Sequence, residues 1–184
     1  MRTSVGRAGG QSWAITSDST ADGGRRWTNA DQGEAKIAAA LAAPRSYFDV
    51  RFTAPANTPY HLWLRMRAQG NSYTNDSVYV QFSDSLDTAN AAAYRLGTTA
   101  ALAVVLEDGS GAGESEWGWA DDGYGSPGTT VKFATAGTHT IRIQQREDGV
   151  SIDQILLSPQ MFLTKAPGAA KNDTTLYAAT QVPQ

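Results

Sequence analysis

Carboxylates are the residues of this sequence whose spacing comes nearest to a catalytic pattern. Glu114 is followed by Glu116, and Asp121 is followed by Asp122; paired carboxyls can divide the acid and base roles of a glycosidase. These pairs belong to a glycine- and serine-rich region that contains SGAGESEW, where acidic side chains keep a loop hydrated. No sequence feature orients them, so they do not predict catalysis.

Other residue types that perform catalysis or bind metals also lack a recognisable pattern. His61 and His139 do not have the His-x-x-x-His spacing of a metal site, and no serine stands in a G-x-S-x-G motif. Cysteine is absent, which excludes a disulfide framework, a thiolate metal site and a cysteine nucleophile. We therefore predict that the protein is not an enzyme.

A single carboxylate, Asp153, interrupts the apolar part of QQREDGVSIDQILLSP. The R-E-D-G stretch at residues 146–149 predicts a tight hairpin turn, because glycine and aspartate tolerate the positive φ that such turns require. The turn would pair THTIRIQQ with VSIDQILL and place Asp153 on the same face as Ile155 and Leu157. An ionised carboxylate there needs a partner, which can be an arginine, backbone N–H groups or a metal ion.

Length and charge limit the classes of protein that are possible. The 184 residues suffice for one domain with a sizeable core. The 15 Lys and Arg against 18 Asp and Glu indicate no basic surface for nucleic acid, and no segment has the length and apolarity of a membrane span. We expect a flexible segment at residues 1–10, a β-sandwich domain at residues 11–160, and a C-terminal extension or linker at residues 161–184.

Most of the domain shows the two-residue period of β-strands. In YHLWLRMR, residues 60–67, the apolar side chains at even positions share one face, and the residues between them share the other. YFDVRF and SVYVQF alternate in the same way. Many short strands separated by turn residues predict an all-β fold, an antiparallel sandwich or barrel. The alanine-rich residues 34–44 allow one short helix that ends before Pro44.

The order of these strands and turns resembles a family of binding modules. PYHLWLRMRAQGNSYTNDSVYVQF, then WGW, then AGTHTIRIQQREDGVSIDQILLS are similar to the jelly-roll carbohydrate-binding modules of the galactose-binding-like and malectin-like type, including families six and thirty-five. The resemblance spans roughly residues 13–159. It implies a lectin-like, non-catalytic module of a larger secreted or cell-surface protein of bacterial type. Its partners would be an oligosaccharide or polysaccharide and neighbouring domains of the parent protein.

The resemblance also implies where the ligand binds. In these modules two aromatic rings flank the sugar at the loops of one end of the sandwich, and Trp27 and Trp119 take those positions, with core packing as the alternative. The loop after YHLWLRMR and the final hairpin turn reach the same end, so their polar residues can contact the ligand. The alternatives are that the loop residues hydrogen-bond their own backbone and that the charged tip of the hairpin is merely solvated. Ser151 stands where family-six modules usually carry a sugar-contacting asparagine. The other candidate contacts are Asn71, Tyr73, Asn75, Asp76, Arg146, Glu147 and Asp148.

A structural calcium ion is a further implication of the resemblance. The last strand of these modules commonly contributes an aspartate to calcium, together with two glutamates of the first strand, and Asp153 matches that aspartate. The first candidate strand here, SWAITSDST, has no paired glutamates. The alternative is that Asp153 accepts hydrogen bonds from backbone or arginine donors.

Trp63, Arg65 and Arg67 share one strand face, whose role depends on what covers it. If the face is open it can bind an acidic glycan, because arginine holds carboxylates bidentately; if the alanine-rich residues cover it, these side chains pack and pair. Gly118, between Trp117 and Trp119, leaves one side of its strand bare for a backbone or a ligand. An alternative function is a structural or adhesive extracellular sandwich that associates without sugar, through apolar surface at Trp63 or Trp117.

Overall fold

A computed structural model describes residues 2–4 and 13–178 of the chain. The described residues form short β-strands, with 3-10 turns at Asp22–Gly24 and Gln69–Asn71. Residues 1 and 5–12 of the N-terminal part, and residues 179–184, lie outside this description. The strands are β1 (Arg2–Ser4), β2 (Ala14–Ser17), β3 (Arg25–Thr28), β4 (Tyr47–Ala54), β5 (Tyr60–Ala68), β6 (Ser77–Phe82), β7 (Ser85–Leu86), β8 (Leu102–Val105), β9 (Gly118–Ala120), β10 (Thr130–Phe133), β11 (Gly137–Gln145) and β12 (Val150–Ser158).

The strands form two antiparallel sheets that pack face to face. One sheet has the order β1-β4-β11-β6-β8. The other runs β2-β3-β12-β5, and the second edge of β5 pairs with β10 near its start and with β9 near its end, while β7 pairs with β10. The predicted all-β sandwich is confirmed, and from β4 onward the chain crosses repeatedly between the sheets, as in a jelly roll. In the part of the chain described, no helix is long and apolar enough to cross a membrane.

Apolar side chains from the facing sides of the sheets form the core. Leu62, Leu64 and Met66 of β5 point inward and are at most 1% exposed, and they pack in one cluster with Phe48 and Val50 of β4. Each such side chain contributes about 1.5–3 kcal/mol to the free energy of unfolding. The predicted alternation in β5 is confirmed, so its remaining side chains lie on the outward face of the seven-stranded sheet: His61, Trp63, Arg65 and Arg67.

A β-bulge in β12 changes the face on which Asp153 lies. Ile152 pairs with Met66 and Gln154 pairs with Arg65, so Asp153 is an extra residue without a cross-strand partner. Its side chain therefore meets Arg65 on the outward face instead of joining the inward apolar residues that follow it. The expectation that Asp153 shares a face with those residues was wrong, because strict alternation does not continue through a bulge.

The alanine-rich residues 34–44 form no helix. The Ile37 N–H donates to the Arg146 carbonyl at 2.8 Å, and the Leu41 N–H donates to Gln144 Oε1 at 2.9 Å. The Ile37 carbonyl accepts a hydrogen bond from the Tyr79 hydroxyl at 3.0 Å. These tertiary hydrogen bonds use backbone groups that a helix would pair internally, so they override the helix propensity of alanine.

The C-terminal segment, which we define as residues 159–178, packs on the outward face of the seven-stranded sheet. The Trp63 indole N–H donates to the Phe162 carbonyl at 2.8 Å. The Gln154 amide donates to the Tyr177 carbonyl at 2.6 Å and accepts from the Tyr177 N–H at 3.1 Å. The face that carries Trp63 and Arg65 is thus covered, and the C-terminal segment rather than the alanine-rich stretch covers it.

We expect Gly149→Ala to destabilise the protein because two effects add. Gly149 has a φ of 76° in the β11–β12 turn, a conformation that costs other residues about 1–2 kcal/mol. A Cβ atom would also lie 2.7 Å from Asn75 Cγ. The matched control is Gly125→Ala, since Gly125 has a φ of 67° and nothing within 4 Å of the Cβ position. Urea unfolding should show the larger loss for Gly149→Ala, and equal losses would contradict a packing role for Asn75.

Candidate binding pocket at the loop end of the sandwich

Three loops meet at the end of the sandwich where β3 and β5 finish and β12 begins. Because β12 is antiparallel to both strands, the turn at residues 146–149 lies beside the 3-10 turn Gln69–Asn71. The Gln69 N–H donates to the Gly149 carbonyl at 2.9 Å. The loop before β9 joins them, since the Glu116 N–H donates to Asn71 Oδ1 at 3.0 Å. The structure therefore brings together the loops for which the resemblance to binding modules implied a shared end.

An open pocket of about 360 Å³ lies where these loops meet. Most of its lining side chains are polar or charged. Two of the predicted contacts, Asn71 and Ser151, line it, whereas several of its residues were not predicted. The complete lining consists of Arg26, Thr28, Arg67, Ala68, Gln69, Gly70, Asn71, Glu116 and Ser151.

Charges of both signs are held close together at the pocket. Asp18 forms ion pairs with Arg67 and, at 3.4 Å, with Arg26 Nε. Burial alone would raise the pKa of Asp18, but hydrogen bonds from Thr20 and the charges of both arginines lower it. Arg67 Nη1 lies 3.5 Å from Glu116 Oε2. The two arginine side chains remain 25% and 20% exposed, so part of each guanidinium faces the pocket.

Two hydroxyl groups continue this polar wall. Ser151 Oγ accepts a hydrogen bond from Arg26 Nη1 at 2.9 Å and donates to Thr28 Oγ1 at 3.1 Å. The register that pairs Ser151 with Thr28 places these side chains next to each other on β12 and β3. In RRWT, Arg26 and Thr28 alternate with Trp27, so strand periodicity could have identified them, provided that the β3–β12 pairing was known.

Trp117 packs against Arg67 and restricts it. The Arg67 guanidinium lies 4.8 Å from the centre of the indole ring, and the indole N–H donates to Thr20 Oγ1 at 2.8 Å. The ring is 2% exposed. A guanidinium stacked on an aromatic face is held electrostatically in one orientation, so Trp117 contributes to the pocket by fixing Arg67.

The two tryptophans predicted to flank a sugar are used in packing. Trp27 is partly buried and stacks on Phe48, with ring centroids 4.6 Å apart and an interplanar angle of 5°. Trp119 is 2% exposed and makes an edge-to-face contact with Tyr177 at 5.9 Å. Both rings therefore pack against other side chains of the protein, which was the alternative to sugar contact. In this structure Trp119 has no free face for a ligand, because the C-terminal segment covers it.

Other predicted contacts form a buried scaffold below the loops. Asn75 is 5% exposed and donates to the Gln69 carbonyl at 3.2 Å. Asp148 is 2% exposed, and its Oδ2 accepts from the N–H groups of Gln32 and Glu34 at 2.6 and 3.1 Å. The charged turn is thus neither a solvated tip nor a pocket rim at these positions, since the chain before β4 folds over it.

Arg146 and Tyr73 differ from that scaffold in exposure. Arg146 is partly buried, donates to Ser77 Oγ and lies 5.7 Å from the centre of the Tyr79 ring. Tyr73 is 68% exposed and follows the pocket-lining Asn71 by two residues. Among the predicted contacts, Tyr73 therefore presents an open aromatic ring.

Asp76 and Glu147 form a buried carboxyl pair in the scaffold, 2% and 3% exposed. Glu147 lies 2.9 Å from Lys36 Nζ and accepts a hydrogen bond from the Ser77 hydroxyl. Burial alone would raise the pKa of Glu147, but hydrogen bonds from Asp76, Ser77 and Lys36 lower it. Burial, the hydrogen bond with Glu147 and its negative charge raise the pKa of Asp76 to about 8. At neutral pH Asp76 therefore carries the proton and Glu147 the charge.

Asp153 has two of the three partners that the sequence allowed. Its Oδ2 accepts from Arg65 Nη1 at 2.5 Å and from the Asp22 N–H at 2.9 Å. Burial raises the pKa of Asp153, and these two partners offset only part of that effect. The donor set does not fit calcium, because a guanidinium already occupies the cation position. Within residues 2–4 and 13–178, no group of three His, Asp or Glu residues is able to hold a metal ion.

His61 orients Asp121, one of the acidic residues considered for catalysis. His61 Nδ1 lies 2.7 Å from the Leu163 carbonyl, and Nε2 lies 2.7 Å from Asp121 Oδ2. A backbone carbonyl and an ionised carboxylate both accept hydrogen bonds, so this arrangement favours the doubly protonated ring. Burial alone would lower the pKa of His61, but the hydrogen bonds to Asp121 and Leu163 raise it. The 1% exposed His61 side chain ties the C-terminal segment to β5.

No family model matches this chain, and no curated protein or solved structure matches it either. The resemblance to carbohydrate-binding modules thus rests on the order and spacing of strands and turns in the sequence. A sandwich fold alone does not define a function, because sandwiches of this kind serve many roles. The residues and geometry of the pocket are therefore what can indicate a function.

We expect Asp76→Asn to flatten the dependence of stability on pH. In the folded protein Asp76 keeps its proton up to a pKa of about 8, compared with an ordinary value of 3.8. The resulting contribution to stability is fully present below pH 3.8 and is lost as the pH rises toward about 8. Asparagine is neutral throughout this range. It can also accept the Glu107 N–H and donate to Glu147, as the protonated carboxyl does.

Thermal unfolding from about pH 6 to about pH 9 measures this effect. The wild type should lose more stability over that range than Asp76→Asn. Glu116→Gln is the control, because the Glu116 side chain is 59% exposed and should leave the wild-type profile unchanged. An Asp76→Asn profile parallel to the wild type would show that Asp76 does not hold the proton.

Proposed function

We propose that this protein is a non-catalytic carbohydrate-binding module that holds a sugar in the polar pocket at its loop end. The observation that carries the proposal is that the donors and acceptors of the pocket are fixed by contacts with one another. Ordered polar groups lose little entropy when a ligand binds. The module would serve as one part of a larger secreted or cell-surface protein.

The pattern of donors and acceptors suits hydroxyl groups. A hydroxyl both donates and accepts, so it is bound best between a donor and an acceptor. Arg67 and Glu116 provide such a pair 3.5 Å apart, and the partly exposed Arg26 guanidinium provides further donors beside it. Hydrogen bonds to charged groups are the stronger kind, worth about 1.5–3 kcal/mol each.

The charge balance favours a neutral ligand. Two cationic side chains, Arg26 and Arg67, stand beside two anionic ones, Asp18 and Glu116. Their charges largely cancel, so the pocket has no strong preference for a free anion or cation. An uncharged sugar with several hydroxyl groups matches both the charge and the hydrogen-bonding pattern.

Tyr73 supplies the apolar element of the proposed site. Sugar binding usually combines hydrogen bonds with an aromatic ring that covers the C–H face of a pyranose. Tyr73 is 68% exposed and lies outside the pocket lining itself, two residues after the pocket residue Asn71. It takes over the role that the sequence assigned to Trp27 and Trp119, whose rings pack against the protein itself.

The surface required by the adhesive alternative is largely covered. That alternative needs apolar area at Trp63 or Trp117 for a partner, but these side chains are 8% and 2% exposed. The C-terminal segment accepts the Trp63 indole N–H, and Arg65 and Arg67 stack on Trp117. This coverage favours the glycan proposal over self-association through the tryptophans.

We expect Tyr73→Ala and Glu116→Ala each to weaken glycan binding by about tenfold, which corresponds to the loss of one ring contact or one charged hydrogen bond. Both side chains are exposed, so neither change should reduce stability. Tyr124→Ala is the matched control, because Tyr124 is a 51% exposed tyrosine that bonds to Glu107 and, unlike Tyr73, does not closely follow a pocket residue in the sequence. Affinity electrophoresis in soluble galactan, xylan, β-glucan and polygalacturonate, followed by calorimetry, gives the affinities.

Binding by the wild type and by Tyr124→Ala, with a loss in the other two variants, would support the proposed site. If no polysaccharide of the panel bound the folded protein, the carbohydrate proposal would be wrong. If binding occurred but neither Tyr73→Ala nor Glu116→Ala reduced it, the pocket assignment would be wrong. Light scattering of the same samples would detect the self-association that the adhesive alternative requires.

A further inference from the structure

The C-terminal segment forms hydrogen bonds with the loop that carries one wall of the pocket. Along the edge of β9, the Trp119 N–H donates to the Ala169 carbonyl at 3.0 Å, and the Asp173 N–H donates to the Trp117 carbonyl at 2.7 Å. These bonds pair main chain with main chain, as an additional strand would. The edge of β9 opposite β5 is therefore occupied by the segment.

A third bond extends this pairing to the start of the loop. The Asn172 N–H donates to the Ser115 carbonyl at 2.8 Å, and the Ser115 hydroxyl donates to Asn172 Oδ1 at 2.8 Å. The bonds thus bracket Glu116, which lies between the two loop residues whose carbonyls are bound. Glu116 itself lines the pocket.

We propose that residues 169–173 are a positioning element of the pocket, which fixes the loop at residues 115–119 and thereby Glu116 and Arg67. This inference deepens the proposed function and rests on it. The segment does not line the pocket, so it would act on ligand binding only through the loop. Its composition, with alanine, proline, lysine, asparagine and threonine and only scattered apolar residues, predicted an extension or linker and gave no indication of this role.

Gly118 makes the close approach of the segment possible. A Cβ atom at this position would overlap the carbonyl oxygen of Ala170. The backbone of Gly118 does not have a positive φ, so the segment, and not local strain, excludes a side chain there. The sequence-based inference that Gly118 leaves room for another backbone is confirmed, and the C-terminal segment supplies that backbone.

The loop transmits the position of the segment to Arg67 through Trp117. The Trp117 backbone is bound by Asp173, and its ring lies 4.8 Å from the Arg67 guanidinium and 4.9 Å from that of Arg65. Movement of the loop would therefore displace the surface on which Arg67 stacks. It would also break the bond between the Glu116 N–H and Asn71 Oδ1 across the pocket.

Buried polar contacts anchor the segment on both sides of this region. The Asp173 carboxylate accepts from Arg65 Nε at 3.2 Å and from the Ala169 and Thr175 N–H groups at 2.8 Å each. Farther toward its start, the Leu163 carbonyl accepts from His61. Because these anchors are buried, the segment has one defined path along β9, which a positioning element requires.

Gly118→Ala tests the proposal, because it would push the segment away without altering any pocket side chain. Gly168→Ala acts within the segment, since its Cβ would overlap the anchoring Asp173 Oδ2 and lie 2.7 Å from Trp119 Cδ1. The control is Lys165→Ala, an exposed side chain in the same segment. Urea unfolding first identifies a temperature at which every variant is fully folded in the absence of urea. All comparisons are made at that temperature.

Three readouts are measured: amide hydrogen exchange at residues 115–119, the rate at which p-hydroxyphenylglyoxal modifies Arg67, and affinity for the panel polysaccharide that the wild type binds most tightly. We expect both glycine variants to speed exchange and Arg67 modification and to weaken the affinity by about fivefold or more, as for a typical coupling between sites. Lys165→Ala should match the wild type in all three.

Faster exchange in a folded variant with unchanged Arg67 reactivity and affinity would overturn the proposal, because the segment would then be a structural support alone. If the wild type bound no polysaccharide, the proposed function would fail, whereas exchange and arginine modification would still decide whether the segment positions the pocket. If neither glycine variant folded, amide hydrogen exchange of the wild type would test the proposal instead. The Trp119 and Asp173 amides should then exchange through the same opening event, with equal opening free energies. Different opening free energies for the two amides would contradict the proposal.

Discussion

The charge of Arg65 has to be neutralised at the centre of the outward face of the seven-stranded sheet. The side chain is 1% exposed, and a buried pair that loses one partner costs about 3–5 kcal/mol. Asp153 reaches it from the bulge in β12, and Asp173 reaches it from the C-terminal segment. These two carboxylates explain why the strand bulges, why the segment crosses this face, and why the face is closed to ligands.

The polar residues at the loop end divide into a buried scaffold and an open pocket. In the scaffold, Asp148 binds backbone N–H groups, and Asp76 and Glu147 share a proton beside Lys36. These groups are satisfied within the protein and hold the loops in place. In the pocket, Arg26 and Arg67 keep part of their guanidinium groups exposed. Residue type alone does not separate the two groups, since both consist largely of charged side chains near the ends of strands.

Strand periodicity predicted the sandwich and the faces of its strands well. Leu62, Leu64 and Met66 point into the core because alternation is a local property of extended backbone. The same reasoning failed at Asp153, where a bulge adds one residue, and in residues 34–44, where tertiary hydrogen bonds replace a helix. Local propensity was overridden at both places by contacts with residues that are distant in the sequence.

The sequence by itself determined the fold class, the pairing of the final hairpin and the loops that gather at one end. The first two depend on periodicity and turn chemistry between neighbouring residues, whereas the gathering of the loops was implied by the resemblance to jelly-roll binding modules. Only the tertiary structure decided which polar residues are open to a ligand: Trp119 is covered by the C-terminal segment, while Arg26 and Glu116 line the pocket. Exposure depends on which distant segment packs over a side chain, and no local pattern encodes that choice.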